Sequence, residues 1–169
     1  PIECQISVYE ALMAAGTPHQ LKMFGMHAMD NMLLEKGYLA LKSDMNVHHT
    51  PLETPIAWTV KWNKDFIGRT GLEKVRKAEM PLQLISMVVA ADTADAWGYN
   101  PIFKGNERVG MTSSGGYGHR LRKSLANGYV PPQWAAPGTQ LAVEILGKKY
   151  PAEVVTMPLY DPKNERMKA

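Results

Sequence analysis

Residues 113–130, SSGGYGHRLRKSLANGYV, carry four glycines and four basic side chains, one of them histidine, within eighteen positions. The stretch is either a loop that grips phosphate or a tight passage between strands, and the choice decides what the second half of the chain is. Its glycines follow neither the G-x-x-x-x-G-K-[ST] nor the G-x-G-x-x-G spacing that arranges backbone donors around a phosphate at a helix N-terminus. Gly115, Gly116 and Gly118 therefore read as turn residues that need positive φ, with Arg120, Arg122 and Lys123 in solvent. Residues 110–115 are then a strand entering a turn, and 123–130 the approach of the next strand.

Outward from this point the texture is β-rich. The runs LQLISMVVA, NPIFKG, RVGMTSS, LANGYV, QLAVEILG and KYPAEVV are short, apolar and separated by Gly, Pro and Asn. Gly105-Asn106 and Gly147-Lys148 suit hairpin tips. The alternation of Leu141, Val143 and Ile145 with Ala142 and Glu144 gives a strand one inner and one outer face. The second half is an antiparallel β unit.

Before residue 80 the periodicity is helical. Ile6, Leu12 and Met13, widened by Val8 and Ala11, predict a helix over 5–15 with Gly16 as its C-terminal cap. Met26, Met29, Met32, Leu33 and Leu34 predict a second helix over 26–36, with Lys36 facing the terminal carbonyls and Gly37 as the stop. Residues 38–55, after a short extended start, read as a long loop, a length that in compact domains often carries function. IAWTVKW, residues 56–62, reads as a strand, and charged positions outward over 69–78 predict a third helix. Helices first and strands second imply two subdomains meeting near residues 79–81.

The chain of 169 residues is 45% apolar, enough for a real core, and nineteen Lys and Arg against sixteen Asp and Glu leave +3. So small an excess lacks the concentrated field that nucleic-acid binding uses, which excludes that class of partner. No apolar run approaches a membrane span, and the first twenty residues lack a basic start followed by an apolar segment. One cysteine, Cys4, permits neither an intrachain disulfide nor a cysteine-based zinc cluster, in keeping with a cytosolic or equivalent reducing interior. The opening PIECQ starts on Pro1 and enters a helix almost at once, so the first part of a longer protein is expected to be missing.

Few residues nominate chemistry. The five histidines show no metal-binding spacing, and of the neighbours His48 and His49 an extended backbone aims at most one at a ligand. Cys4 has no base beside it. Met23, Met26, Met29 and Met32 read as core packing by adaptable thioethers rather than a soft-metal box. The corner LLEKGY is more pointed. Glu35 closes a helix whose dipole disfavours a carboxylate there, so it requires a Lys or Arg partner or backbone donors. Tyr38 and Asp44 follow within nine residues.

Taken together, Leu34-Glu35-Lys36-Gly37-Tyr38, Asp44, Thr50-Pro51-Leu52-Glu53, Trp58, Lys61 and Asp65-Phe66-Ile67-Gly68-Arg69 strongly resemble the aminomethyltransferase (glycine-cleavage T-protein) superfamily. Downstream, residues 110–115, Gly118, Lys123-Ser124-Leu125-Ala126 and Gly128-Tyr129-Val130 look like its C-terminal barrel domain, and PLYDPKNERMKA is similar to the folate-binding halves of sarcosine and dimethylglycine dehydrogenases.

The resemblance implies an α+β chain. Residues 1–79 would be the C-terminal part of the T-protein-like folate-binding domain, a helical and mixed remnant, and residues 80–169 a C-terminal antiparallel β-barrel, jelly-roll-like. It implies tetrahydrofolate as cofactor, accepting a one-carbon unit from an amine, and FAD in a missing N-terminal half if the parent is a dehydrogenase. Partners would be the N-terminal remainder of the same enzyme, folate, and sarcosine or dimethylglycine, or a lipoyl carrier protein if the parent is a T-protein. The compartment would be cytoplasmic, or the mitochondrial matrix in a eukaryote. The catalytic Asp lies upstream of Pro1 by this resemblance, so no catalytic residue is expected here and the isolated chain should be inactive. The residues expected at the folate are Tyr38, stacking on it; Glu35 and Asp44, organising the corner; Trp58, supporting it from the core; and Met29, which together with Leu33 stands where T-proteins carry arginines. Tyr117, His119 and Arg120 would line the cleft. A third possibility is a non-catalytic T-protein-like module for regulation or assembly, motivated by Met29 and Leu33.

Overall fold

The computed structural model describes residues 1–168. Six antiparallel strands, β1 (Gln83–Val89), β2 (Pro101–Lys104), β3 (Glu107–Gly118), β4 (Lys123–Val130), β5 (Gln140–Ile145) and β6 (Lys148–Val155), close into a barrel in the order β1-β4-β3-β2-β5-β6. Closure leaves no free edge, because β1 pairs with both β4 and β6. The period of two seen in the sequence is realised physically: Ile85, Met87 and Val89, Leu141, Val143 and Ile145, and Tyr150, Ala152 and Val154 all point into one core.

β4 departs from that alternation, for every residue from Ser124 to Val130 is buried. Ala126 and Val130 face the barrel core, whereas Asn127 and Tyr129 bond to the segment before the barrel. Two helices of that segment matter here: α1 (Gln5–Gly16) and α2 (Met26–Lys36), of which α2 lies on β3 and β4. A third, α3 (Arg69–Lys77), precedes the barrel, and a single turn, α4 (Glu165–Lys168), follows it.

The glycines of the opening stretch do a different task from the expected one. Gly115, Gly116 and Gly118 lie inside β3 without positive φ, and the chain turns instead at Arg122, whose φ is 54°. A Cβ on Gly116 would sit 2.4 Å from Asn31 Oδ1, and one on Gly118 would sit 3.0 Å from Glu35. These glycines let α2 approach the strand closely.

Other expectations are corrected. Residues 56–62 are not a strand but contain the 3₁₀ turn Ala57–Thr59, and all barrel strands lie beyond residue 82. Gly16 does not cap α1; the chain continues through the 3₁₀ turn Thr17–His19 and reverses at Gln20 in the left-handed region. Gly37, in contrast, does end α2 with φ of 70°. The second hairpin tip is Leu146-Gly147, both with positive φ, one residue earlier than read. Met23, Met26 and Met32 are exposed rather than core, as are Ile6, Val8, Tyr9 and Leu12 of α1.

α1 has no buried residue and packs chiefly on its flanking turns, with Tyr9 Oη donating to Met23 Sδ at 3.3 Å. Its helical amides are therefore expected to exchange with solvent more than about a hundredfold faster than those of β1, β4 and β6. Hydrogen exchange read by mass spectrometry on this chain checks it, and comparable protection of α1 would show that the helix is held by more than its own turns.

Candidate functional site

The corner between α2 and the barrel is built on two buried carboxylates, neither paired with a cation among the described residues. Glu35, 3% exposed, accepts the backbone N–H groups of Arg120 and Leu121 on one oxygen, at 2.7 and 2.9 Å. Of the two partner types required for Glu35, backbone donors are the one found. The carboxylate thus serves the β3–β4 turn, two of whose N–H groups would otherwise lack partners.

Asp44, 1% exposed, is more fully enclosed. Its Oδ1 accepts the hydroxyls of Ser113 at 2.5 Å and Ser114 at 2.7 Å, and its Oδ2 accepts Ala40 N–H at 2.9 Å and Asn127 Nδ2 at 3.2 Å. Tyr129 Oη donates to the Asp44 backbone carbonyl at 2.6 Å, and Ser86 Oγ fixes the Asn127 amide from behind at 2.7 Å. Consecutive residues of a regular strand point to opposite faces, so Ser113 and Ser114 could not both reach one carboxylate. They do so because the β3–β4 register shifts between Thr112 and Ser114, a bulge that leaves Ser113 unpaired.

A third buried acid, Glu53, closes a capping box with Thr50 and meets His49 Nδ1 at 3.3 Å. The His49 ring lies flat on Tyr129, centroids 3.6 Å apart, while His48 is exposed. Of the adjacent pair, one serves a structural contact. Tyr129 was not among the predicted site residues, since its role depends on a loop more than eighty positions upstream.

Tyr38 follows the helix stop, the residue 49% exposed and its hydroxyl 3.7 Å from Met167 Sδ. It lines two clefts. One, of about 290 Å³, has Asp44, Ser113 and Ser114 in its wall together with Trp97 and Leu33. The other, of about 420 Å³, is walled by Phe24, Met29, Met32 and Leu33, with Arg120 and Arg166 also lining it. Of the predicted site residues, the structure thus brings together Glu35, Tyr38, Asp44 and Met29. Trp58 is not with them: it is 73% exposed, outside any core, with Lys61 Nζ 5.7 Å from its ring. Its turn contributes nothing to either cleft. Arg120 reaches the apolar cleft; Tyr117 and His119 pack edge to face on each other and line neither.

Larger or comparable hollows lie elsewhere. One of about 600 Å³ opens under α3, and one of about 380 Å³ lies against His49 and Tyr129. The pair at Tyr38 is singled out because an aromatic face, hydrogen-bonded acids and cations converge there. Among the described residues no group of three or more His, Cys, Asp or Glu could hold a metal ion, and no helix is long and apolar enough to cross a membrane.

A closed antiparallel barrel bearing a helix-and-loop lobe pinned to its outer face defines the class of protein, and comparison with known proteins gives its family. Residues 83–161 match the glycine cleavage T-protein C-terminal barrel domain, and residues 1–64 match the GCVT N-terminal domain. Mitochondrial dimethylglycine dehydrogenase of Homo sapiens is 38% identical over 159 residues, covering 93% of this chain and 18% of that protein. An aminomethyltransferase of Prochlorococcus marinus is 36% identical over 157 residues, covering 91% of this chain and 41% of that one. Mitochondrial sarcosine dehydrogenase of Mus musculus is 31% identical over 172 residues. The crystal structure of glycine cleavage system aminomethyltransferase T from Bartonella henselae superposes with a TM-score of 0.82 at 26% identity, covering 96% of this chain and 45% of that one. The chain belongs to the aminomethyltransferase superfamily, a family of enzymes, and spans less than half the length of these relatives.

Two predictions follow from the acids. Asp44→Ala leaves two hydroxyls, an amide and a backbone N–H without an acceptor and is expected to cost about 3 kcal/mol of stability, with Asp44→Asn costing about half as much. An unchanged urea midpoint in Asp44→Ala would refute the pin. Burial first, then the nearby Glu53 and Asp44 carboxylates, push the Tyr129 phenol from 10.0 up to about 12. A raised pKa favours the neutral phenol in the folded state, so this contribution is complete below pH 10 and fades as pH rises toward 12. In an ultraviolet titration Tyr129 is expected to ionise last, and Tyr129→Phe is expected to remove that late step; a Tyr129 step near pH 10 would contradict the burial argument.

Proposed function

We propose that this chain forms one wall of a tetrahydrofolate site, as the C-terminal portion of a one-carbon transfer enzyme, and that the parent is an FAD-dependent sarcosine or dimethylglycine dehydrogenase yielding 5,10-methylenetetrahydrofolate. The observation that carries the reading is the Tyr38 ring, half-exposed between a polar and an apolar cleft and placed by a helix end tied to the barrel through Glu35. Tetrahydrofolate has the matching form, a polar reduced pterin with a planar pyrimidinone half, joined to an aromatic ring and a carboxylate tail. Tyr38 would stack on a ring of the ligand. Asp44, both of whose oxygens are taken by protein donors, and Glu35, whose Oε1 is taken by two backbone N–H groups, would hold the corner in shape. Met29 would pack on the ligand through its thioether.

Tetrahydrofolate supplies the atoms that accept the one-carbon unit; these residues bind and orient it. The catalytic group, the FAD and the amine are assigned to the remainder of the parent polypeptide, with the domain boundary between residues 79 and 80. No stretch here has the glycine spacing that FAD's pyrophosphate calls for. The chain alone is expected to show no turnover. The compartment is the mitochondrial matrix if the source is eukaryotic, in line with the relatives named mitochondrial.

A second reading makes the parent a T-protein that takes its aminomethyl group from a lipoyl carrier protein. The 36% identity to an aminomethyltransferase and the superposition on the Bartonella henselae enzyme favour it. Turnover of sarcosine or dimethylglycine by the full-length protein, against transfer from a lipoyl carrier, separates the two.

Calorimetry on the full-length protein is expected to show tetrahydrofolate binding, weakened about tenfold by Tyr38→Ala through loss of stacking and buried area. Absence of binding, or an affinity indifferent to Tyr38→Ala, would remove this site.

A further inference from the structure

The net charge of the chain is not spread evenly. Between Trp58 and Glu79 lie Lys61, Lys64, Arg69, Lys74, Arg76 and Lys77 against Asp65, Glu73 and Glu79, an excess of three; elsewhere thirteen basic and thirteen acidic residues cancel. The whole surplus of +3 therefore sits on one short segment, the turn bearing Trp58 and the helix α3. Arg69 is taken up locally, by Glu73 Oε1 at 2.9 Å and by the Lys64 carbonyl at 2.9 Å. The other five cations are exposed and have no ion-pair partner among the described residues. Asp65 and Glu79 face solvent as well and, outnumbered, leave the segment positive.

The same segment turns its apolar side chains outward. Ile67 is 106% exposed and Trp58 73% exposed. At about 100° per residue, Gly71, Leu72 and Val75 share one side of α3, with Lys74 and Arg76 flanking it. That side, together with Phe66 and Ile67, lines the open hollow of about 600 Å³, and Lys61 and Lys64 stand at the same hollow. α3 has no buried residue, and a Cβ on Gly68 or Gly71 would meet nothing within 4 Å. Both indoles carry a cation: Lys61 Nζ lies 5.7 Å from the Trp58 ring, and the Arg76 guanidinium 5.0 Å from the Trp62 ring. Indole rings settle at the headgroup level of a bilayer, and clustered cations on an amphipathic helix are drawn to anionic headgroups.

We propose that this face is a peripheral docking surface for an anionic lipid bilayer, with Ile67 and Trp58 entering the interface and Lys61, Lys64, Lys74 and Arg76 set against lipid phosphates. The surface is independent of the folate reading and shares no residue with the clefts at Tyr38. No helix among the described residues is long and apolar enough to cross a membrane, so the segment lies on the bilayer rather than in it. A protein of opposite charge would account for the lysines alone. A bilayer accounts for the lysines, the indole and the fully exposed isoleucine together, because it offers an apolar phase directly beneath a layer of negative charge. One short helix and two apolar side chains make a reversible attachment, not a permanent anchor.

The test is co-sedimentation of the full-length protein with two sets of vesicles, phosphatidylcholine alone and phosphatidylcholine with about a third phosphatidylglycerol. The anionic vesicles are expected to bind the protein about tenfold or more tightly than the neutral ones, and added salt to weaken that binding. K61Q, K64Q and K74Q are each expected to weaken it about fivefold. I67D is expected to weaken it about tenfold or more while leaving the thermal midpoint unchanged, since the side chain it replaces touches no core. Soluble poly-L-glutamate serves as the probe for an acidic protein and is expected to bind more weakly than the anionic vesicles and without regard to I67D. Vesicle binding that I67D leaves intact, or poly-L-glutamate binding as tight as that of the vesicles, means that charge alone is read and overturns the bilayer in favour of an acidic protein. Equal binding to both vesicle sets, or none to the anionic set, overturns the surface outright, whatever tetrahydrofolate does in calorimetry.

Discussion

The architecture depends on burying two negative charges without a cation. An isolated carboxylate taken from water is costly, and a buried ion pair only partly repays the loss. Here Asp44 is satisfied by four donors, and Glu35 by two backbone N–H groups of a turn that has no other use for them. Hydrogen bonds of this kind demand position. Asp44 holds the loop to one place on β3 and β4, and Glu35 holds the end of α2 to the β3–β4 turn.

Several features that look local follow from those two contacts. The bulge at Ser113 exists in register with Asp44, and Gly116 and Gly118 of β3 clear the space in which α2 can lie close enough for Glu35 to reach the turn. Tyr38, one residue past the helix stop, inherits its place from the same anchoring, as do Arg120 and the C-terminal segment that carries Arg166. Where no such contact reaches, the lobe has little to hold it: α1 and the turn bearing Trp58 keep their apolar side chains in solvent.

The barrel was largely legible in the sequence. Each of the six strands overlaps a run read as β, since a closed barrel buries one face of each strand and writes a period of two into residues such as Leu141, Val143 and Ile145, although β3 continues through residues 115–118, which read as a turn. α2 was legible for a similar reason, with Gly37 marking its end in the left-handed region. Residues 56–62 misled because β-branched and aromatic residues suit a strand only when another edge is available for pairing. The methionines misled because helical spacing marks a face without saying what covers it. The cluster at Asp44 was half visible: Asp44 and Glu35 stood out by motif, but Ser113, Ser114, Asn127 and Tyr129 carried no signal of their own.

By itself, the sequence determined which segments become strands and helices, where α2 stops, and the family the motifs belong to, because these depend on neighbours within a few residues or on short ordered patterns. Only the tertiary structure decided what the glycines of residues 113–130 are for. They are neither a phosphate cradle nor turn formers; Gly116 and Gly118 are the bare strand surface on which a helix places one buried carboxylate, while Gly115 and Gly128 admit Ala96 and Ile102. That outcome rests on contacts between residues some eighty positions apart, and no local pattern encodes such a distance.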